Sequence, residues 1–471
     1  MRVLLISPLA RAGTFPKSSW MPLGVGFVAS ELRRRGHAVS VFDRLALAGR
    51  IGPDKPSVNR AMLDRYRSFK PDLIGFHTVS PMMYDTVDSI SLLEAHFQGP
   101  MVAGGHHATA LPELTLRRIP ALKAVVEGEG EVPLAQIADG DAPEAIPGVW
   151  WRKETGEIVH TPPKQTEDLD RFPVPALDLL DMKFYTRPNL TKVYGHYLSS
   201  ASVIGSRGCL HRCDFCAVRG TQGRGVRFHS AEYVVEWIKR VLKDYPVEGF
   251  YFHDSDFLMD TSRTETLCES FRREGLHKKI KWAVQTRADH IEPGILKQLK
   301  RSGCVLIALG VESSIQHQLK AVHKGGSVEG NERAIRLIKE AGMAVLANML
   351  IGFEGETASD IESKLDWLAR VSPTFYAVRH LLYFPSTSLY ERRGGRFLED
   401  NEWTEANLTG YYVDSGSNAP LYGTYKRLEA QRRRRFDPWR RRIAFLRMNS
   451  PRNAIRYWID GHKKQEPERL A

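Results

Sequence analysis

No stretch of the 471 residues stays apolar for the ~18 positions a membrane-crossing helix needs, so none is expected. The apolar part of Met1-Arg2-Val3-Leu4-Leu5-Ile6-Ser7-Pro8 is too short for a secretory leader and reads as a first buried strand. Cysteine is scarce, with five in all and none among residues 1–208. That excludes a disulfide-stapled scaffold and points to a reducing, cytoplasmic setting. A second C-x2-C pair is also missing, so four-ligand structural zinc lacks half its donors. Net charge is +12, but from Tyr425 onward there are 15 basic and 5 acidic residues, so the rest of the chain is nearly balanced. The basic tail reads either as a solvated helical face or as a contact for nucleic acid or a membrane surface, and of these last two nucleic acid is the less expected partner. With 42% hydrophobic and 26% charged residues, the chain has the composition of a globular protein with room for two or three cores.

Three of the five cysteines fall in one octapeptide, Cys209-Leu210-His211-Arg212-Cys213-Asp214-Phe215-Cys216, spaced C-x3-C-x2-C. Three is odd, and Cys268 and Cys304 lie far away in sequence, so disulfides do not account for it. Clustered thiolates suit a soft metal centre. Iron–sulfur clusters normally take four cysteines; three leave one iron open to another ligand.

Ahead of that loop, apolar runs alternate with helical patterns. Strands are expected at 2–7, 38–42, 72–76, 101–103 and 124–126, with helices at 23–35 and 85–97. This alternation predicts a doubly wound parallel sheet with ligands beyond the carboxyl ends of its strands. Gly24-x-Gly26-x-x-Ala29 with Asp43 mimics a dinucleotide fingerprint. Residues 8–22, however, separate the glycines from the strand, and the fingerprint needs them immediately after it. Residues 141–200 read as a proline-broken bridge with a small hairpin at 149–152 and 157–159. From 201 to about 390 the alternation resumes, with strands at 202–205, 248–253, 280–285, 304–309, 344–350 and 376–383.

The octapeptide resembles the cluster loop of the radical S-adenosylmethionine (SAM) enzymes, in which three cysteines hold a 4Fe-4S cluster and the fourth iron binds SAM. Phe215 before the last cysteine matches as well. Met21-Pro22-Leu23-Gly24-Val25-Gly26, Asp72-Leu73-Ile74-Gly75, Gly104-Gly105-His106-His107 and Glu127-Gly128-Glu129 occur in the order similar to the cobalamin-binding domain fused ahead of many such enzymes. The resemblance implies an α/β chain: a Rossmann-like cobalamin domain at 1–140, a linker at 141–200, a six-stranded partial TIM barrel at 201–390 and a basic helical region at 391–471. It assigns the cluster to Cys209, Cys213 and Cys216, and SAM to Phe215, Asp254, Asp256, Arg287, Glu312 and Gly352. Asp254 and Asp256 stand where the family binds the SAM ammonium. Cobalamin falls to Pro22, Leu23, Gly24, Gly26, Gly75, Thr78, Ser80, Gly104, Gly105, His106, His107, Glu127, Gly128 and Glu129. The D-x-H-x-x-G ligand loop of cobalamin mutases is absent, since no histidine follows Asp43 at the ligand position. No lower cobalt ligand from such a loop is expected.

The implied chemistry is C-methylation of an unactivated carbon in a small-molecule substrate, through a 5′-deoxyadenosyl radical and methylcobalamin. An external electron donor of the flavodoxin or ferredoxin type is implied with it. A non-methylating enzyme of the same architecture, such as an anaerobic tetrapyrrole ring cyclase or a ring-rearranging enzyme, stays open as the alternative. A tRNA methylthiotransferase would carry cysteines in its N-terminal domain, and here there are none. The tail residues Trp439, Ile443, Phe445, Leu446, Ile455, Tyr457 and Trp458 are expected to form an apolar helical face, either over the barrel mouth as a lid or as a peripheral helix pair.

Overall fold

The computed structural model describes residues 1–10, 19–52, 54–392, 396–412, 419–433 and 445–461. They form two compact units. The first comprises Met1–Tyr185, Asp214–Arg227 and Leu382–Gly416; the second comprises Thr186–Cys213, Phe228–Leu381 and Ser417–Ala471.

The first unit is built on a seven-stranded sheet. Its strands are β1 (Arg2–Ser7), β2 (Ala38–Asp43), β3 (Leu73–His77), β4 (Met101–Gly104), β5 (Ala124–Val126), β6 (Val149–Arg152) and β7 (Ile158–His160), in the order β2-β1-β3-β4-β5-β6-β7. The first five pair in parallel, and β6 and β7 add antiparallel. The bridge hairpin thus continues the sheet instead of standing alone, because Val149 and Trp151 bury one of its faces in the core. β1 is buried along nearly its whole length, as a central strand covered on both faces must be. Its alternation divides the core: Val3 and Leu5 meet Val25, Ala29 and Leu32 of the helix Leu23–Arg34, while Leu4 and Ile6 meet Val58, Met62 and Met83. Arg44 and Asp85 form a fully buried pair (2.8 Å), and Asp85 also accepts the Leu9 N–H. This ties the chain leaving β1 to the helix Met83–Glu94. Leu398, Trp403, Leu408 and Tyr412 join the same core, which is why the chain returns to this unit after residue 381.

Next come two short strands, β9 (Ser206–Cys209) and β10 (Gly225–Phe228), preceded by β8 (Ser200–Val203). With β11 (Gly249–Phe252), β12 (Lys281–Thr286), β13 (Cys304–Glu312), β14 (Ala344–Ile351) and β15 (Phe375–His380), β8 completes a six-stranded, all-parallel sheet in the order β15-β14-β13-β12-β11-β8. Spatial order follows chain order, as in a β/α barrel left open. Tyr251, Ala283, Leu306, Ala308, Leu346 and Phe375 project into one apolar cluster with Val193 and Leu198, so residues 189–198 plug the interior.

Residues 445–461 of the tail pack at the amino-terminal ends of these strands. Asn449 bonds Tyr197 N–H and Gly195 O, Arg456 meets Glu248 ahead of β11, and Lys281 at the start of β12 donates to Met448 O. Phe445 and Tyr457 cluster with Tyr197 and Leu190. A lid over the catalytic mouth is therefore not what this segment forms, because its polar anchors all lie at the opposite end. Trp439 and Ile443 lie outside the described residues. Among the described helices, none is long and apolar enough to cross a membrane.

Candidate functional site

β8 ends at Val203, and a turn through Gly205 leads into β9, which delivers Cys209. Cys209, Cys213 and Cys216 are all partly exposed, and no cysteine of the chain forms a disulfide. Burial pushes the Cys209 and Cys213 thiols up. At Cys213, Lys324 and Arg287 pull the other way, and Arg287 Nη1 lies 3.7 Å from its sulfur. Cations there favour the thiolate that a metal ligand must be. Cys268 and Cys304 are different. Both are buried; the Cys268 thiol is pushed up to about 11 and hydrogen-bonds Ser302, and Cys304 is pushed up by burial as well.

Asp254, expected at the SAM ammonium, turns its carboxylate onto the turn that leads into β9. It is fully buried behind the turn, where it accepts Gly205 N–H (2.8 Å) and Ser206 O–H (2.7 Å), with Arg263 at 4.0 Å. Arg263 itself donates to Gly205 O (2.7 Å) and lies over the Phe228 ring. The pair braces the loop that carries Cys209. Asp256 is turned toward His211, Thr286 and His290. Burial alone would raise its carboxyl, but these neighbours outweigh burial and hold it well below the usual carboxylate range.

At the next strand ends, Arg287 chelates Asp289 and donates to Lys324 O (2.6 Å). Glu312 closes β13 with φ +62°, where the β13–β14 register shifts. A left-handed glutamate costs ~1–2 kcal/mol, strain of the kind that collects at ligand sites. Its carboxylate meets Lys324 Nζ at 3.0 Å. Burial works against the Lys324 ammonium, yet Glu312 and the Cys213 sulfur prevail and raise its pKa. Lys324 therefore belongs with Arg287 and Glu312, although sequence reasoning missed it. Its one signal was the adjacent Gly325-Gly326, both left-handed, which let the loop fold back. Gly352 follows β14 with its N–H on Glu356, which Lys364 also grips. Phe215 is half-buried on the cluster loop.

Deeper in the second unit are Lys192 and His253, also missed. Lys192 is buried, and burial pulls its amine down to about 7. His253 meets Ser202 at 3.0 Å, and burial, aided by the Lys192 charge, brings it to about 4. Gln285 lies nearby, donating to Asp254 O and meeting Tyr251. Lys192 sits in a proline-broken stretch without periodicity, so no pattern announced it.

In the first unit the predicted cobalamin residues separate into two groups. Thr78, Ser80, Gly104, Gly105, His106 and His107 converge beyond β3 and β4. Thr78 Oγ1 donates to Gly104 O (2.8 Å) and accepts Ala108 N–H, and Ser80 meets His107 Nδ1 at 3.0 Å. Gly105 (φ +103°) has no room for a Cβ, which would stand 2.8 Å from Thr78 O. Glu127 accepts Trp150 N–H (2.6 Å), Gly128 N–H meets Thr109, and Glu129 pairs with Arg227 (2.9 Å). A Cβ at Gly26 would stand 2.9 Å from Pro175 and one at Gly75 2.9 Å from Leu5, so packing by itself calls for glycine at both. Leu23 is core, Pro22 precedes the helix, and Gly24 is open. Gly24 and Gly26 lie inside the helix rather than in a turn before it, and Asp43 caps the next helix while bonding Tyr185. Neither serves a nicotinamide site.

The donor sets fit the expected groups. Three thiols on one loop, with cations at Cys213, suit an iron–sulfur cluster. Open space at Gly24, and room for no more than ordinary contact with Val126 at Gly104, suit a large flat cofactor, and His107 Nε2 is a buried atom that no described group satisfies. Burial holds His107 at about 3 and His77 at about 4. His107 is wedged between Ser80 and the edge-on Trp403 ring (4.7 Å). Cobalamin is expected to bind base-off and without a histidine ligand, so electron paramagnetic resonance of protein-bound cob(II)alamin should show no nitrogen superhyperfine splitting; a splitting that changes on 15N-labelling of the protein's histidines would make one of them a cobalt ligand.

Comparison with known proteins finds two family models along the chain. Residues 203–368 match the radical SAM superfamily model, and residues 14–138 match the B12 binding domain model. An uncharacterized methyltransferase of Pyrococcus horikoshii is 28% identical over 399 residues, covering 83% of each chain. The anaerobic magnesium-protoporphyrin IX monomethyl ester cyclase of Rubrivivax gelatinosus is 26% identical over 411 residues, covering 84% of this chain and 70% of that one. In fold, the chain is similar to the radical SAM methyltransferase TsrM from Kitasatospora setae, solved with cobalamin and a [4Fe-4S] cluster bound. The TM-score is 0.66 at 19% identity, over 84% of this chain and 75% of that one. In one polypeptide the chain carries a B12 binding domain and a radical SAM domain, the two modules of the cobalamin-dependent radical SAM enzymes, whose cofactors are a 4Fe-4S cluster, SAM and cobalamin.

Proposed function

We propose that the chain methylates an unactivated carbon of a small molecule. The observation that carries this reading is the joining of a cobalamin module to a three-thiol loop at the head of a six-stranded radical SAM sheet. When bound, the cluster and SAM supply a 5′-deoxyadenosyl radical, and cobalamin supplies the methyl group. The protein's own part is to hold and charge the site. Cys209, Cys213 and Cys216 would hold the cluster, with Arg287 and Lys324 stabilising the Cys213 thiolate. Glu312 and Lys324 offer one anion and one cation at 3.0 Å, a match for the ammonium and carboxylate of the SAM amino acid. Gly352, with its N–H turned inward onto Glu356, bounds the same end of the sheet. Reduction would come from a flavodoxin- or ferredoxin-type donor.

The likeness to the Rubrivivax cyclase favours a second reading, ring closure without methyl transfer. Product mass separates the two. With methyl-deuterated SAM, methylation adds a labelled methyl to the product of a turned-over substrate, and cyclisation adds none. An unlabelled product formed at the rate of SAM cleavage would overturn the methylation reading.

A further inference from the structure

We propose that His211, Asp256 and His290 form a second metal site, distinct from the cluster, for one zinc ion. They come from three elements: the loop between Cys209 and Cys213, the chain just beyond β11, and the turn that follows β12. Asp256 Oδ2 lies 3.4 Å from His211 Nε2 and 3.1 Å from His290 Nδ1, and all three atoms fall within 4.8 Å of one another. Around tetrahedral zinc with ligands at about 2.0–2.1 Å, neighbouring donors stand about 3.3 Å apart, so these separations suit a shared ion.

The hydrogen bonding points the same way. Each of the three atoms is buried, and none makes an aligned hydrogen bond, although they lie close enough for one. A simple His–Asp–His relay would aim an N–H at the carboxylate. Here the three atoms cluster within 4.8 Å without such a bond. The other Asp256 oxygen accepts Thr286 O–H at 2.7 Å, which fixes the carboxylate with Oδ2 facing the histidines, as an outer partner does for a metal ligand. Two imidazoles and one carboxylate are a donor set for zinc rather than for magnesium or calcium. The histidine side chains are 26% and 24% exposed, enough to admit the ion and leave a fourth position for water. Asp256 is then a metal ligand rather than a partner of the SAM ammonium. The ion would cross-link the cluster loop to the ends of β11 and β12.

The test uses the full chain, purified anaerobically with zinc present, reconstituted with its cluster and stripped of loose metal by gel filtration. Elemental analysis should find one zinc per chain besides the cluster iron. Zinc X-ray absorption should show a nitrogen and oxygen shell without sulfur. Losing an outer partner already costs a metal site about 10–100-fold in affinity. Losing a ligand in His290→Asn should therefore lower zinc affinity at least about tenfold while cluster iron stays. No zinc in the wild type, sulfur in its shell, or unchanged zinc in the variant would each overturn the proposal. The wild-type absorption measurement decides the matter even if the variant does not fold.

Discussion

Replacing Cys209, Cys213 and Cys216 together by alanine is expected to abolish the broad iron–sulfur absorption and all SAM cleavage under reductant. The three are the chain's only cysteines that are not buried, and cations press on Cys213. Alanine removes the ligands without filling space. Cys268→Ala and Cys304→Ala should keep full iron, since burial holds both as thiols: Cys268 hydrogen-bonds Ser302, and Cys304 starts β13 inside the core. Iron content and 5′-deoxyadenosine, measured on all three proteins, check this. Deoxyadenosine from the triple variant, or iron lost from either single variant, would show the wrong cysteines were chosen.

The second large effect is expected at Asp254. Alanine there leaves the Gly205 N–H and the Ser206 O–H without their acceptor in a buried place and takes the carboxylate from beside Arg263. Breaking a buried pair from one side typically costs about 3–5 kcal/mol. Because the pair braces the turn into β9, cluster occupancy should fall with stability. Asp254→Asn keeps an acceptor for Gly205 and should cost less, on the order of 1–3 kcal/mol. Denaturant unfolding and iron content together decide. If Asp254→Ala kept stability and cluster but lost SAM binding, Asp254 would be the SAM residue that the sequence suggested.

That reversal shows what a sequence can carry. The cysteine spacing was legible because the chemistry of three thiolates on one loop is local. The strands of both sheets were legible because buried parallel strands are continuous apolar runs; those expected at 2–7 and 124–126 coincide with β1 and β5. Asp254 and Asp256 looked alike in His253-Asp254-Ser255-Asp256, and only tertiary structure sends one behind the turn and the other toward two histidines. Gly26 and Gly75 looked like cofactor glycines, but Pro175 and Leu5 by themselves call for glycine there, one of them about 150 residues away in sequence. Lys192 and Lys324 lay in stretches without periodicity, where no pattern says which way a side chain faces. The tail's apolar residues were legible as a face, but which end of the barrel they meet depended on Asn449 and Arg456 finding Tyr197 and Glu248.

The central claim is that this chain spends SAM in two ways, as methyl source and as radical source. The most direct measurement is mass spectrometry of the nucleoside products after anaerobic incubation of the cobalamin- and cluster-loaded protein with SAM, reductant and a turned-over substrate. The expected result is S-adenosylhomocysteine and 5′-deoxyadenosine together, both rising with the methylated product. Deoxyadenosine without S-adenosylhomocysteine would contradict methyl transfer, and the absence of both would contradict the radical SAM assignment itself.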